Sequence, residues 1–327
     1  MIDEIKNYIL GAGPAGLIAA YYLKDYTVID KNPLGQLNLP FIPGPRLLQA
    51  NDNMILFVKE IFPKSEIKIE IASIGYHINN EVVDMPTEEF KQKYSETTRG
   101  ESSKEVSHLS GGMTEIKHIE IDNYGEDSYK IFFTRLLEII KERNQIKDFK
   151  VSKIFPDKNI IEFDDGGCNC KGREKYKQTR YGNLISTLNL NILMKLCHDV
   201  EKHIHSSNIN LETKTKCFYQ VEYGFNIDKA IEKNHPSIMY DYVYSINTEW
   251  TRQTFFRNYI VYESVSPILN CLKDKKIINK FEGMPLQIVK SLDIDNICDI
   301  KMLGRFAQWS HKMKANEVLD RVKEWID

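Results

Sequence analysis

Apolar residues along this chain fall into short runs at two periods, and the order of those runs predicts a mixed α/β protein. Asn7-Tyr8-Ile9-Leu10 is a brief apolar strand that leads into Gly11-Ala12-Gly13-Pro14-Ala15-Gly16. Leu17 to Lys24 is apolar almost throughout and rich in helix formers, which predicts a buried helix. Tyr26-Thr27-Val28-Ile29 is aromatic and β-branched and ends in Asp30, as a strand with an acid at its tip. The first thirty residues therefore predict strand, turn, helix, strand.

Pro33, Gly35, Pro40, Pro43, Gly44 and Pro45 punctuate a loop. Asn51 to Ile61 follows with a helical pattern. Ser65 to Ile78 alternates as a sheet strand does, with Ile67, Ile69 and Ile71 on one face. Asn79-Asn80 predicts a hairpin turn into Glu81-Val82-Val83, and Thr87-Glu88-Glu89-Phe90 a helix start. Ser128 to Asn144 is amphipathic, its apolar face formed by Phe132, Phe133, Leu136, Leu137, Ile139 and Ile140. Two strands are expected around Pro156-Asp157-Lys158-Asn159, and a turn and strand over Tyr181 to Thr187. Residues 211–265, rich in Tyr, Phe, Val and Thr, predict antiparallel strands, with Ile227 to Lys233 as a helical exception. The end of the chain reads as a strand at Ile300 to Leu303, then Gly304, then a helix from about Ala315.

Composition narrows the partners. The 327 residues are 42% hydrophobic and 28% charged, and 44 basic against 46 acidic side chains leave a net charge of −2. That balance calls for neither nucleic acid nor an anionic membrane surface. No run of about 18 apolar residues predicts a membrane span. The N-terminal stretch reads as neither a secretory signal nor a transit peptide. Six cysteines in a chain this long do not read as a disulfide framework, and Cys168-Asn169-Cys170 has no second ligand pair nearby. A cytoplasmic, reducing setting is expected, with no metal. A homodimer is left open.

The glycine turn carries the chemistry. It follows a strand and opens a helix, the context in which GxGxxG binds a dinucleotide. Gly11 allows the tight turn, Gly13 lets the backbone approach a pyrophosphate, and Gly16 lets the helix pack on the strand. The helix N-terminus then offers free N–H groups and a positive dipole end to the phosphates. Asp30, nineteen residues beyond Gly11, is suited to accept hydrogen bonds from ribose hydroxyls.

Three segments together resemble the FAD-dependent superfamily of amine oxidases, protoporphyrinogen oxidases and UDP-galactopyranose mutases. The first is Tyr8 through Asp30-Lys31 with its GAGPAGL turn, continued by Leu34-Gly35-Gln36-Leu37 where the family has two glycines and a basic residue. The second is Asn183-Leu184-Ile185-Ser186-Thr187, similar to the family's "ISTxP" strand, with Leu188 or Asn189 in place of its proline. The third is Leu303-Gly304-Arg305-Phe306-Ala307-Gln308-Trp309, which resembles a C-terminal flavin-contacting "GR" motif. The resemblance implies FAD as cofactor. It implies cofactor contacts from Gly11, Ala12, Gly13, Pro14, Ala15, Gly16, Asp30, Lys31, Gly35, Gln36, Leu37, Ser186, Thr187, Gly304, Arg305 and Met313. Lys312 and Lys314 would lie near the ring, with the helix from Ala315 aimed at its O2.

The expected architecture is α/β. A Rossmann-like FAD-binding domain (residues 1–75, 150–215 and 285–327) is interleaved with a substrate domain of antiparallel sheet and helices (76–149 and 216–284). The expected function is an FAD-dependent oxidoreductase acting by hydride transfer to flavin N5 on a small substrate. A mutase-like enzyme without net redox change and a non-catalytic FAD-binding relative remain as alternatives. Arg46, His108, Arg252 and Tyr259 are the catalytic candidates. Arg252 and Arg257 with nearby tyrosines would suit an anionic substrate, or would be sheet arginines stacked on tyrosines.

Overall fold

The computed structural model describes residues 5–34, 47–99, 115–122, 128–164, 176–198, 213–222, 241–256, 259–267, 269–288, 294–305, 307–308 and 314–326. In chain order the elements are β1 (Lys6–Leu10), α1 (Pro14–Tyr22), β2 (Tyr26–Ile29), α2 (Asp52–Ile61), β3 (Ile67–Ile78), β4 (Glu81–Val83), α3 (Glu88–Arg99) and β5 (Glu115–Ile121). Then come α4 (Ser128–Glu142), β6 (Ile146–Lys147), β7 (Lys150–Phe155), β8 (Ile160–Asp164), β9 (Tyr176–Ser186), α5 (Leu190–Leu196) and β10 (Thr213–Glu222). The last are β11 (Tyr242–Ser245), β12 (Arg252–Phe255), β13 (Tyr259–Ser264), β14 (Ile277–Ile288), β15 (Asn296–Ile297), β16 (Ile300–Met302) and α6 (Ala315–Ile326).

These strands form two sheets. In the first, β1 pairs in parallel with β2 on one side and with β9 on the other. β6 extends the sheet beyond β2, and β16 extends it beyond β9, both in parallel. The order is β15-β16-β9-β1-β2-β6, with the β7–β8 hairpin attached to the early half of β9. The chain leaves β1 toward β2 first and returns on the other side as β9. The C-terminal ends of β1 and β9 therefore border the crevice where open α/β sheets take ligands.

Helix α1 is apolar nearly all round because it is covered nearly all round. Gly16, Leu17, Ile18, Ala19 and Ala20 are buried. They share one core with Met54, Phe57 and Val58 of α2, Phe132, Phe133, Leu136 and Ile140 of α4, and Val318, Leu319 and Val322 of α6. The residues just after α4 close the far end of α1. Gln145 Nε2 donates to the carbonyls of Ala20, Leu23, Lys24 and Tyr26, and Arg143 Nη1 donates to that of Tyr21. The open C-terminal end of the helix thereby gains side-chain donors. Helix α4 shares the core of α1 and α2, and β6 pairs with β2 of the first sheet.

The second sheet runs β14-β10-β13-β12-β11-β3-β4, with β5 on the early half of β3. All its pairings are antiparallel except β11 with β3. Asn79 and Asn80 both take positive φ, 53° and 67°, as a two-residue hairpin loop between β3 and β4 requires. Thr87 Oγ1 accepts from the Phe90 N–H at the start of α3. The alternation of Ile67, Ile69 and Ile71 marks a shared face but not the core face. Ile69 and Ile71 are 51% and 52% exposed, while Ala72, Ile74 and Tyr76 are buried under α3. Among the described residues no helix is long and apolar enough to cross a membrane.

Candidate functional site

The glycine turn lies at the C-terminal end of β1, bordering the crevice. Each of its three glycines has a different physical reason. Gly11 takes φ +99°, and a Cβ there would stand 2.4 Å from Thr187 Oγ1. Gly16 faces the Gly11 carbonyl oxygen, which a Cβ would meet at 1.8 Å. Gly13 has ordinary backbone angles (φ −75°, ψ −179°), and a Cβ there would meet nothing within 4 Å. Two glycines are thus demanded by packing, and the third faces open space at the mouth of a helix. That helix start has Pro14 in its first turn, no side-chain cap and no acidic residue. Its first-turn N–H groups are left for an anion.

Asp30 sits across the turn at the tip of β2. Its carboxylate accepts from the Ala12 N–H and from the Asn32 N–H at 2.6 Å. Both carboxylate oxygens hold the turn in shape, and a carboxylate with about four acceptor positions keeps capacity for a hydroxyl. Lys31 beside it is exposed. Leu34 returns to the turn, its N–H donating to the Ala12 carbonyl at 3.0 Å.

The second and third motifs converge on the same place. Thr187 Oγ1 donates to the carbonyls of Leu10 (2.8 Å) and Gly11 (3.2 Å), and its N–H also donates to Leu10. Ser186 is fully buried, its Oγ accepting from the Leu188 N–H. The Leu303 N–H donates to the Ser186 carbonyl, which brings Gly304 alongside. Gly304 has φ +97°, and a Cβ on it would stand 2.9 Å from Ala15 Cβ. The hydroxyl of Thr187 is therefore spent on the chain, where it ties β9 to the turn, and Gly304-Arg305 borders the start of α1. Gln308 fixes this corner by accepting from the Gly304 N–H and donating to Asp295.

This geometry fits a dinucleotide. It offers uncapped helix N–H groups, a glycine opening onto space, an acid at the tip of β2, and three chain segments held together by backbone hydrogen bonds. Gly35, Gln36, Leu37 and Met313 lie outside the described residues, as do Arg46, His108, Arg257 and Lys312.

Of the catalytic candidates, Arg252 lies on β12. It sits on the second sheet in an ion pair with Glu263, its guanidinium 5.7 Å from the centre of the Tyr244 ring. Tyr259 stacks on Phe256 with ring centres 4.6 Å apart. It lies four residues along β13 from Glu263, the residue that faces Arg252, a separation of about 13 Å. Tyr262 points to the opposite face, where Lys275 Nζ donates to its hydroxyl. Sequence reasoning missed Lys216 and Glu263, which form a second ion pair. Glu263 is the one charge in the aromatic and β-branched run of β13, whereas Lys216 shares β10 with Lys214 and Glu222 and carried no such signal.

No family model matches the chain, and no curated protein matches it in sequence. Solved structures do match. Reduced UDP-galactopyranose mutase aligns at a TM-score of 0.65 and 11% identity, covering 99% of this chain and 95% of that one. The CLA-producing fatty acid isomerase from P. acnes aligns at 0.58 and 12%, covering 100% and 99%. L-Proline dehydrogenase from P. horikoshii aligns at 0.53 and 15%, covering 100% and 94%. The chain therefore has the two-sheet fold shared by the mutase, the isomerase and the dehydrogenase.

Proposed function

We propose that this chain is an FAD-dependent oxidoreductase. The observation that carries the reading is the convergence of Gly11 to Gly16, Asp30, Ser186-Thr187 and Gly304-Arg305 around one uncapped helix start. The neighbouring structures in this fold are those of FAD enzymes, which supports FAD over NAD as the dinucleotide.

In this reading the α1 amides and Gly13 take the pyrophosphate, Asp30 takes the ribose hydroxyls, and Gly304-Arg305 approach from the opposite side. Bound FAD supplies hydride acceptance at N5. The protein contributes the rest. The turn fixes where the cofactor sits, Thr187 holds the turn, and the second sheet supplies the wall that orients a small substrate.

The test is direct. The purified protein is scanned for the visible absorption of oxidised flavin and its bound nucleotide is identified by mass spectrometry. Stoichiometric FAD supports the reading; a colourless protein that takes up no FAD on reconstitution sinks it. A mutase-like reaction is the second reading, favoured by the 0.65 TM-score to UDP-galactopyranose mutase. Anaerobic bleaching of the flavin by substrate supports the oxidoreductase. Turnover that needs dithionite but oxidises nothing supports the mutase.

A further inference from the structure

One face of the second sheet carries Tyr219 and Tyr262, paired across β10 and β13. Leu269 and Leu272, from the connection between β13 and β14, are buried in one apolar cluster with both rings and Trp250. That connection is held firmly. The Glu249 carboxylate accepts from Asn270 Nδ2 at 2.6 Å and from the Cys271 N–H at 2.8 Å. The Lys273 N–H donates to the Asn270 carbonyl and the Lys275 N–H to the Leu272 carbonyl, both at 3.1 Å. The two lysine side chains therefore start from a fixed backbone.

A cleft of about 360 Å³ opens at this place, within the range of pockets that hold small organic ligands. Its apolar wall is formed by Leu269, Leu272 and Ile277, and Ile277 remains 42% exposed. Lys273, Lys275 and Lys280 stand around it, and among the described residues no carboxylate lines it. Asp274, between two of the lysines in sequence, is not on the wall. The three ammonium groups differ in what they have left to offer. Lys280 is paired with Glu282. Lys275 Nζ donates to the Tyr262 hydroxyl at 2.8 Å and lies 5.1 Å from the centre of that ring. Its partner is neutral, and two of its three N–H groups remain. Lys273 has no side-chain partner among the described residues. The Tyr219 hydroxyl is already spent on the Pro267 carbonyl. The polar recognition this cleft offers is therefore positive charge from two lysines.

We propose that this cleft binds a small amphipathic carboxylate. Its two oxygens meet the ammonium groups of Lys273 and Lys275, and its hydrocarbon part lies on Leu269, Leu272 and Ile277. Charge-assisted hydrogen bonds hold the anionic end, and removal of apolar surface from water holds the other. An inorganic anion would use the first half of the site alone, and a cation would meet three lysines. The site is built on the second sheet from residues other than those of the glycine turn, so it goes beyond the flavoenzyme reading and does not depend on it.

The experiment is a titration of the purified full chain with sodium octanoate, inorganic phosphate or octylammonium chloride at equal ionic strength, read by calorimetry and by the shift in Tm. Octanoate should bind saturably, phosphate more weakly, and octylammonium not at all. Lys273→Gln and Lys275→Gln should each weaken octanoate about tenfold, the loss of one charge-assisted contact. Lys276→Gln is the control for net charge, since its ammonium is 74% exposed and pairs with Glu222; octanoate affinity should not change. Ile277→Ser should weaken octanoate and leave phosphate as it was. Lys273, Lys275 and Ile277 are all exposed, so these variants should fold, and their Tm without ligand checks it. If one of the lysine variants does not fold, the other and Ile277→Ser decide. Absence of a saturable octanoate response by both readouts overturns the proposal. So does binding of phosphate or octylammonium as tight as that of octanoate. Octanoate affinity unchanged in both lysine variants, or lowered as much in Lys276→Gln, overturns it as well.

Discussion

A Cβ added to Gly16 would stand 1.8 Å from the carbonyl oxygen of Gly11, so helix α1 and its turn meet backbone to backbone. No side chain can yield at that contact, because the obstructing atom belongs to the main chain at the end of β1. Gly16→Ala must push α1 away from the sheet and loosen the core it shares with α2, α4 and α6. The expected loss is about 1–3 kcal/mol or more, seen as a lowered urea midpoint and, on the flavoenzyme reading, as loss of FAD with it. An unchanged midpoint would show that the turn is looser than its geometry implies.

Gly13 makes the complementary case. It has room for a side chain and unstrained angles, so Gly13→Val should leave the urea midpoint within about 0.5 kcal/mol of the parent. Its side chain would project into the space assigned to the pyrophosphate, and FAD should be lost. A folded Gly13→Val protein that retains stoichiometric FAD would remove the basis of the cofactor assignment.

What was legible in the sequence follows from what is local. The glycine turn, the buried run of α1, the Asn79–Asn80 hairpin and the start of α3 at Thr87 each depend on residues a few positions apart, and each forms where the pattern puts it. Asn159, which closes the turn between β7 and β8, likewise takes φ 53°. The remainder depends on register between distant strands. Nothing near Arg252 announces that Glu263 will face it, or that Lys216 will reach the same carboxylate. Nor can a period of two say which face of β3 is core: Ile69 and Ile71 alternate as well as Ile74 and Tyr76, yet α3 covers only the second pair.

Gln145 is a test of the link between α4 and the end of α1. One side-chain amide, with two N–H groups, lies among four carbonyls at the end of α1 and the start of β2, nearest that of Lys24 at 2.9 Å. Gln145→Leu keeps the volume and removes the donor, so the carbonyls of Ala20 and Lys24 lose its N–H groups. The expected cost is about 1–3 kcal/mol, measured by denaturant unfolding. Amides of α1 near Leu23 should also exchange hydrogen faster than in the parent.

Alkaline pH should destabilise the fold. Burial pushes the Cys197 thiol up from an ordinary 9.0 to about 12. Burial, together with the hydrogen bond to Glu60, pushes the Tyr21 phenol up from 10.0 to about 12. Tyr22, Tyr76 and Tyr181 are shifted upward as well, again chiefly by burial. In the unfolded chain these groups lose protons at their ordinary values while the folded chain still holds them. Stability is therefore complete below about pH 9 and falls as pH rises through and beyond the ordinary values. A series of Tm measurements from pH 7 to 11 should show this decline. Iodoacetamide at pH 8 should leave Cys197 unmodified in the native protein and label it after unfolding. Rapid native-state labelling of Cys197 would contradict its burial.

Glu263 is the keystone of the charged row, and its removal separates electrostatics from packing. Glu263→Leu deletes the carboxylate that joins Lys216 and Arg252 in one charged row on the second sheet. Breaking a buried pair in this way costs about 3–5 kcal/mol. The loss should be larger than that of Glu263→Gln, whose amide oxygen still accepts a hydrogen bond. Adding Lys216→Met to Glu263→Leu removes one of the two cations. The double variant should regain part of the lost stability, a coupling that a double-mutant cycle in urea reads directly. Strict additivity of the two substitutions would mean that the two side chains do not sense one another, and the row would then be three independent contacts.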